Sequence, residues 1–239
     1  MGSGFAAAAT LAARAGPAIA GRALASVMEK LAASFTELSE RWAAPDARLD
    51  TAEFAATTAG LGDVLTAIGG PAFSFAGIDL MRKIDSLRDA AAREPSLTLT
   101  EVVSRDKAAG TLRRQGSLGR NAWRVLNALR FCRELFLGVF LIQLEGEAPP
   151  TEIKFSDLVW KCYENTMAAT HVYAIRQVVW LAMWAVPSRE SFLDNLASHT
   201  PGGAPAAETA CRAFVTASEV IIAKLGALYD APCTDENGM

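Results

Sequence analysis

The stretch Gly116-Ser117-Leu118-Gly119-Arg120-Asn121-Ala122-Trp123-Arg124-Val125-Leu126 decides how this chain is read. Ser117 is a hydroxyl residue placed to cap a helix. Arg120 and Arg124 follow at i, i+4 spacing, so on that helix both guanidinium groups leave from one face. The face continues through Phe131, Leu135 and Ile142, all apolar. A surface helix ordinarily sets its charges opposite its apolar stripe; here the cations stand at the head of the stripe. Such a face suits a ligand with an anionic head and a hydrocarbon body. It also fits a solvated helix end whose arginine stems lie along the core.

Outward from this helix the pattern stays helical. Toward the N-terminus, residues 107–117 hold Gly110, Gly116 and Ser117 and read as a loop, and Thr98 with Glu101 reads as a capping box. Pro71 opens a helix to about Arg93 with Phe75, Ile78, Leu80, Ile84 and Leu87. Asp50 and Glu53 open another that ends near Gly69-Gly70. Arg22 to Trp42 repeats Leu24, Met28, Leu31, Phe35 and Leu38 at helical spacing before Pro45. Toward the C-terminus, the arginine helix is expected to end around Gly146, before Pro149-Pro150. A long pattern from Ser156 or Asp157 reaches Val186, where Pro187 breaks it. Ser188 caps a short helix to about Leu196, and a last helix runs from about Ala206 to Tyr229. There is no strand alternation, no internal repeat and no linker long enough to divide two folding units. The expectation is one all-α domain over residues 21–231, with an alanine-rich tail at 1–20 and a short tail at 232–239.

Composition narrows the classes of function. The 239 residues are 51% hydrophobic and carry a formal charge of -3, enough apolar residues for a sizeable core and no global attraction to nucleic acid. Any anion site must therefore be local. Residues 1–28 lack acids and carry Arg14 and Arg22, which fits a targeting segment or an alanine-rich helix. No run is long and apolar enough to span a bilayer. Cys132, Cys162, Cys211 and Cys233 are scattered and read as reduced thiols, not as a disulfide framework. GxSxG, phosphate-loop and dinucleotide motifs are missing, as is any metal-spaced cluster, so neither a catalytic residue nor a cofactor is expected.

Three further groups carry chemistry. Asp79 and Lys83 lie i, i+4 on the third helix, an ordinary helix ion pair or a carboxylate and ammonium offered to a ligand. His171 precedes Ile175, Val178 and Ala182 at helical spacing, which places it on an apolar stripe. Trp180 and Trp184 lie near a helix end before Pro187. Core packing is the default for such a pair, and contact with a bilayer interface is the alternative.

The order Asp79-x-x-x-Lys83, Arg120-x-x-x-Arg124, His171 resembles the glycolipid transfer protein superfamily, and more closely its ceramide-1-phosphate transfer branch. Ile78-Asp79-Leu80-Met81-Arg82-Lys83-Ile84, Gly116-Ser117 with Arg120-Asn121, and Ala185-Val186-Pro187-Ser188-Arg189 all resemble segments of that branch. The likeness spans roughly Arg22 to Ala231. It implies a two-layer all-helical sandwich enclosing an apolar lipid pocket, with Asp79, Lys83, Arg120, Arg124 and His171 all on helices around the headgroup. Glycosphingolipid binders of the family carry Asn four residues after the aspartate and a Trp in the arginine helix. Cationic donors at those places suit a phosphate monoester better than a neutral sugar. The implied protein is a non-enzymatic, monomeric, cytoplasmic carrier of ceramide-1-phosphate that touches membranes transiently through Tyr173, Trp184 and Pro187. One departure stands out: the family commonly has His-Gly-Trp where this chain has His171-Val172-Tyr173. A phosphosphingolipid sensor working through a protein partner, and a helical scaffold whose five polar residues never meet, are the competing readings.

Overall fold

A computed structural model describes residues 17–142, 153–198 and 202–229. The expected tails fall largely outside these residues, as do Gly146, Pro149, Pro150, His199 and Cys233. Among the described residues ten α-helices follow one another: α1 (Pro17–Trp42), α2 (Thr51–Thr58), α3 (Leu61–Ile68), α4 (Gly70–Arg93), α5 (Leu99–Ala108), α6 (Leu118–Val139), α7 (Phe155–Thr166), α8 (Tyr173–Ala182), α9 (Arg189–Ser198) and α10 (Gly203–Gly226). Short 3-10 turns at Ala168–Thr170 and Met183–Ala185 flank α8. No strand occurs among the described residues; a single antiparallel bridge joins Asp50 to Thr98.

The core is built by α1, α6 and α10. Phe214 of α10 meets Phe35 of α1 edge-on at 4.9 Å between ring centroids, and Phe136 of α6 at 5.9 Å. All three rings are fully buried. α6 runs through the middle, packed on α4, α7 and α10, while α4 leans on α2, α3 and α8. The crossing of α3 over α4 is close because Gly62 and Gly77 face each other: a Cβ on Gly77 would stand 2.6 Å from the Gly62 carbonyl oxygen. The helix caps follow the sequence signals. Asp50 accepts from the Ala52 and Glu53 amides, Thr98 and Glu101 form the reciprocal box, and Ser117 accepts from the Arg120 amide.

Three boundaries differ from expectation, and α1 already covers residues 17–20, inside the stretch read as tail. The helix opened by Asp50 divides at Ala59-Gly60 into α2 and α3. α6 stops at Val139, because Leu141 takes a left-handed backbone (φ 48°) and the Ile142 amide closes back on the Leu137 carbonyl at 2.9 Å. This is a Schellman closure, which glycine usually supplies and leucine here conceals. The long pattern from residue 156 to 186 divides as well. Thr166 and Thr170 turn their hydroxyls onto the Cys162 and Met167 carbonyls, 2.6 and 2.7 Å away, competing with the backbone ladder. His171 therefore lies off the helices, extended at φ -111°, ψ 133°, which corrects the helical placement inferred for it.

Candidate functional site

α4 supplies the first part of the site. Lys83 reaches back one turn and donates to Asp79 Oδ2 at 2.5 Å. The lysine side chain is mostly covered, at 15% exposure, while Asp79 is half open at 48%. α6 supplies the second part. Arg120 is buried and Arg124 half-buried, and the apolar stripe behind them, Phe131, Leu135 and Ile142, is buried as well. The two helices are pinned together here: Asn121 Nδ2 donates to Ser86 Oγ at 2.8 Å, and Ser86 Oγ donates to the Lys83 carbonyl at 2.7 Å.

Electrostatics bring these groups within reach of one another. The Lys83 ammonium is pushed below its ordinary pKa, first by burial; Asp79 opposes that shift, and the charges of Arg124 and Arg120 add to it. Three cations are thus close enough to repel, a cost that a multiply charged anion between them would reverse. The third part lies between α7 and α8. Tyr163 Oη and His171 Nδ1 are 3.0 Å apart, and the phenol lies within range of the charges of Arg124 and Arg176. Asp79, Lys83, Arg120, Arg124 and His171 therefore gather into one region contributed by α4, α6 and the turn before α8. Tyr163 and Asn121 belong to the same region and were missed in the sequence. Both read as ordinary helix residues, and only a histidine eight residues on hinted at Tyr163.

The first turn of α6 is held from two further directions. Asp106 Oδ2 accepts from the Gly119 amide at 2.6 Å while its Oδ1 accepts from Thr111 Oγ1 at 2.8 Å. Tyr229 Oη donates to the Gly119 carbonyl at 2.6 Å, and its ring lies 4.8 Å from that of Trp123. A Cβ on Gly119 would stand 2.6 Å from Leu112 Cδ1, so the turn tolerates no side chain without displacement.

α8 presents the opposite surroundings. None of its residues is buried. Ile175, Val178, Trp180 and Leu181 are exposed, Tyr173 is exposed to 69% and Trp184 to 82%, and Phe75 and Ile78 on α4 are exposed too. Core packing is thereby excluded for Trp184; of the stripe following His171, Ile175 and Val178 point outward, while Ala182 packs partly buried against the core. Pro187 is partly covered. Arg189, two residues after Pro187, turns inward. Its Nε donates to the Val139 carbonyl at 3.1 Å and its Nη2 to the same oxygen, a cation at the negative end of α6. A half-open groove of about 740 Å³ runs alongside, lined by Ile153, Phe155, Trp180, Trp184, Pro187 and Arg189 among others. None of the clustered cations of α4 and α6 lines it.

An all-helical sandwich with a cation cluster at one end of its central helix and an uncovered apolar helix beside it is the build of a lipid carrier. The sequence model of the family described as Glycolipid transfer protein matches residues 49–198, more than half of the chain, and the chain belongs to that family. It is 28% identical over 202 residues to Accelerated cell death 11 of Arabidopsis thaliana, covering 84% of this chain and 91% of the relative. The structure of an aspartate mutant of Arabidopsis ACD11 complexed with C12 ceramide-1-phosphate matches with a TM-score of 0.71 at 27% identity, covering 84% of this chain and 93% of that one. Human ceramide-1-phosphate transfer protein in complex with 12:0 ceramide-1-phosphate shares the fold at a TM-score of 0.65 and 18% identity, covering 83% and 94%. No described helix is long and apolar enough to cross a membrane.

Proposed function

We propose that this chain carries ceramide-1-phosphate between membranes and performs no chemical step on it. In this reading Lys83, Arg120 and Arg124 hold the phosphate. Asp79 accepts from the sphingoid amide and hydroxyl, His171 donates to the amide carbonyl, and the hydrocarbon chains lie between the helical layers. The observation that carries the reading is the cation cluster itself: Lys83 on α4, its ammonium pushed down first by burial, also feels the charges of Arg124 and Arg120 on the facing helix α6. A neutral sugar gives such a cluster nothing to neutralise. The relatives' complexes with ceramide-1-phosphate support the same assignment.

The energetics set the division of labour. Each charge-assisted hydrogen bond contributes about 1.5–3 kcal/mol. Chain burial is larger, about 0.8 kcal/mol per methylene, but a bilayer shelters the chains equally well, so that contribution largely cancels on extraction. Selection falls to the headgroup, while transit depends on the apolar interior. Tyr173 and Trp184, with the turn at Pro187, make the transient contact with the bilayer, since aromatic side chains seat well at its interface.

The test is vesicle-to-vesicle transfer by purified protein of ceramide-1-phosphate, a glycosylceramide, sphingomyelin and phosphatidic acid. Transfer should be selective for ceramide-1-phosphate, and Arg124→Leu should abolish it while leaving the helical signal intact, because packing does not need the arginine's charge. Transfer of the glycosylceramide in preference, or undiminished transfer by the folded Arg124 variant, overturns the assignment.

A further inference from the structure

We propose that Tyr163 is a positioning residue that holds His171 in the tautomer with its proton on Nε2, making this imidazole a hydrogen-bond donor; the inference rests on the reading above, in which His171 donates to the amide carbonyl.

The geometry begins with the break between α7 and α8. Tyr163 is on the last turn of α7, buried, with its ring backed by Trp160 at 5.4 Å between centroids. The 3-10 turn that follows brings the chain back, and the His171 amide donates to the Ala168 carbonyl at 3.1 Å. That bond fixes the backbone from which the imidazole projects. The ring then lies 5.6 Å from the Tyr163 ring, tilted by 33°, with Nδ1 3.0 Å from the phenolic oxygen.

A neutral imidazole has one donor nitrogen and one acceptor nitrogen, so the contact admits two arrangements. In one, the phenol donates to Nδ1 and the imidazole proton is on Nε2. In the other, Nδ1–H donates to the phenolic oxygen, and the phenol must place its own proton elsewhere. Among the described residues, the hydrogen-bond partner found for this phenol is His171. The second arrangement would therefore leave a buried hydroxyl proton without an acceptor, the costlier outcome. The phenol also keeps its proton at neutral pH, since burial pushes its pKa up to about 12 against the opposing pull of Arg176 and Arg124. Fixing one nitrogen of a histidine by a hydrogen bond is how proteins set the role of the other. Here it leaves Nε2–H as the donor, the form that a ligand carbonyl requires.

The sequence carries two histidines, so His199→Gln protein labelled with ¹⁵N-histidine reports His171 alone. Long-range ¹H–¹⁵N spectra of the ligand-free protein should show Nδ1 as the unprotonated nitrogen and Nε2 as the protonated one. Tyr163→Phe keeps the ring that packs on Trp160 and removes only the hydroxyl. It should move both nitrogens toward the averaged shifts of mixed tautomers and weaken ceramide-1-phosphate binding about 3- to 10-fold, the loss expected of one imperfectly presented hydrogen bond. A proton on Nδ1 in the unmodified protein overturns the inference, and so does a folded Tyr163→Phe with unchanged shifts or unchanged affinity. If the Phe variant fails to fold, the spectra of the parent protein still decide the tautomer. Absence of ceramide-1-phosphate binding by the parent protein would instead refute the proposed function, with the tautomer measured separately in the same sample.

Discussion

α6 and α8 are both rich in apolar residues, and the fold treats them oppositely. α6 is enclosed by α4, α7 and α10, and even Arg120 and Asn121 on it are buried. α8 buries nothing, although it carries Ile175, Val178, Trp180 and Leu181. An apolar stripe states that water is to be excluded from a face and says nothing about what excludes it. For α6 the excluding surface is protein. For the face of α8 that carries Ile175, Val178, Trp180 and Leu181 no described part of the chain performs that task, while Val179 and Ala182 on its other side lean on the core. A contiguous apolar surface of this kind on a folded chain marks a place of contact, and the proposed function assigns it to the bilayer.

The sharpest way to break this contrast is to remove a ring from α6. Phe136 is fully buried against Phe214, so Phe136→Ala should cost about 3–5 kcal/mol, read from denaturant unfolding. A loss below about 1 kcal/mol would mean that α6 is no more integral to the core than an ordinary surface position. Next in size is Asp79→Val, at the border of the two regions. Ceramide-1-phosphate affinity should fall about tenfold to a hundredfold, the consequence of an unpaired amide at about 1–3 kcal/mol. Any weaker binding of phosphatidic acid, which has no amide, should change less. Equal losses for both lipids would reduce Asp79 to an electrostatic partner of Lys83.

A pH titration separates site from scaffold at the same residue. Burial and the two arginines lower the Lys83 pKa from 10.5 in the fold. Its charged form is thus disfavoured by folding, and its contribution to stability improves as pH rises from the folded value toward 10.5. Phosphate binding, which needs the ammonium, should weaken over the same window. Affinity and stability should therefore move in opposite directions there, and Lys83→Arg should remove the inflection from both curves. Parallel movement would show that the titrating group is another one. The smallest expected effect is on the α8 side. Trp184→Ala should leave stability within about 0.5 kcal/mol while vesicle binding and transfer slow, measured by co-sedimentation and transfer kinetics. A large loss of stability would place Trp184 in the core and withdraw its docking role.

Much of this arrangement was legible in the residues. Periodicity found the long helices because burial on one side enforces a 3.6-residue repeat. Thr98 with Glu101, and Ser117, announced their caps because those side chains satisfy the orphan amides themselves. The i, i+4 pairs placed Asp79 beside Lys83 and Arg120 beside Arg124, since that spacing is local. What stayed hidden depends on contacts distant in the chain or on a backbone state that the residue type does not favour. Leu141 ends α6 in a conformation expected of glycine. Thr166 and Thr170 interrupt a pattern that hydrophobicity alone would continue through His171. The inward turn of Arg189 could not be read from its position after Pro187, because its acceptor lies on α6. Nor does local sequence say that α8 is left uncovered, since burial belongs to the whole assembly.

The hydroxyl of Tyr229 that clasps Gly119 spans 110 residues of chain. During synthesis the helix bearing Arg120 and Arg124 leaves the ribosome long before its clasp exists. The first turn of that helix gains its last restraint only when α10 has docked and delivered residue 229 to the start of α6. The cation cluster is therefore completed late, after the aromatic interior contributed by α10 has closed. A partly made chain holds these cations but lacks the Tyr229 clasp and the closed aromatic interior that frame them.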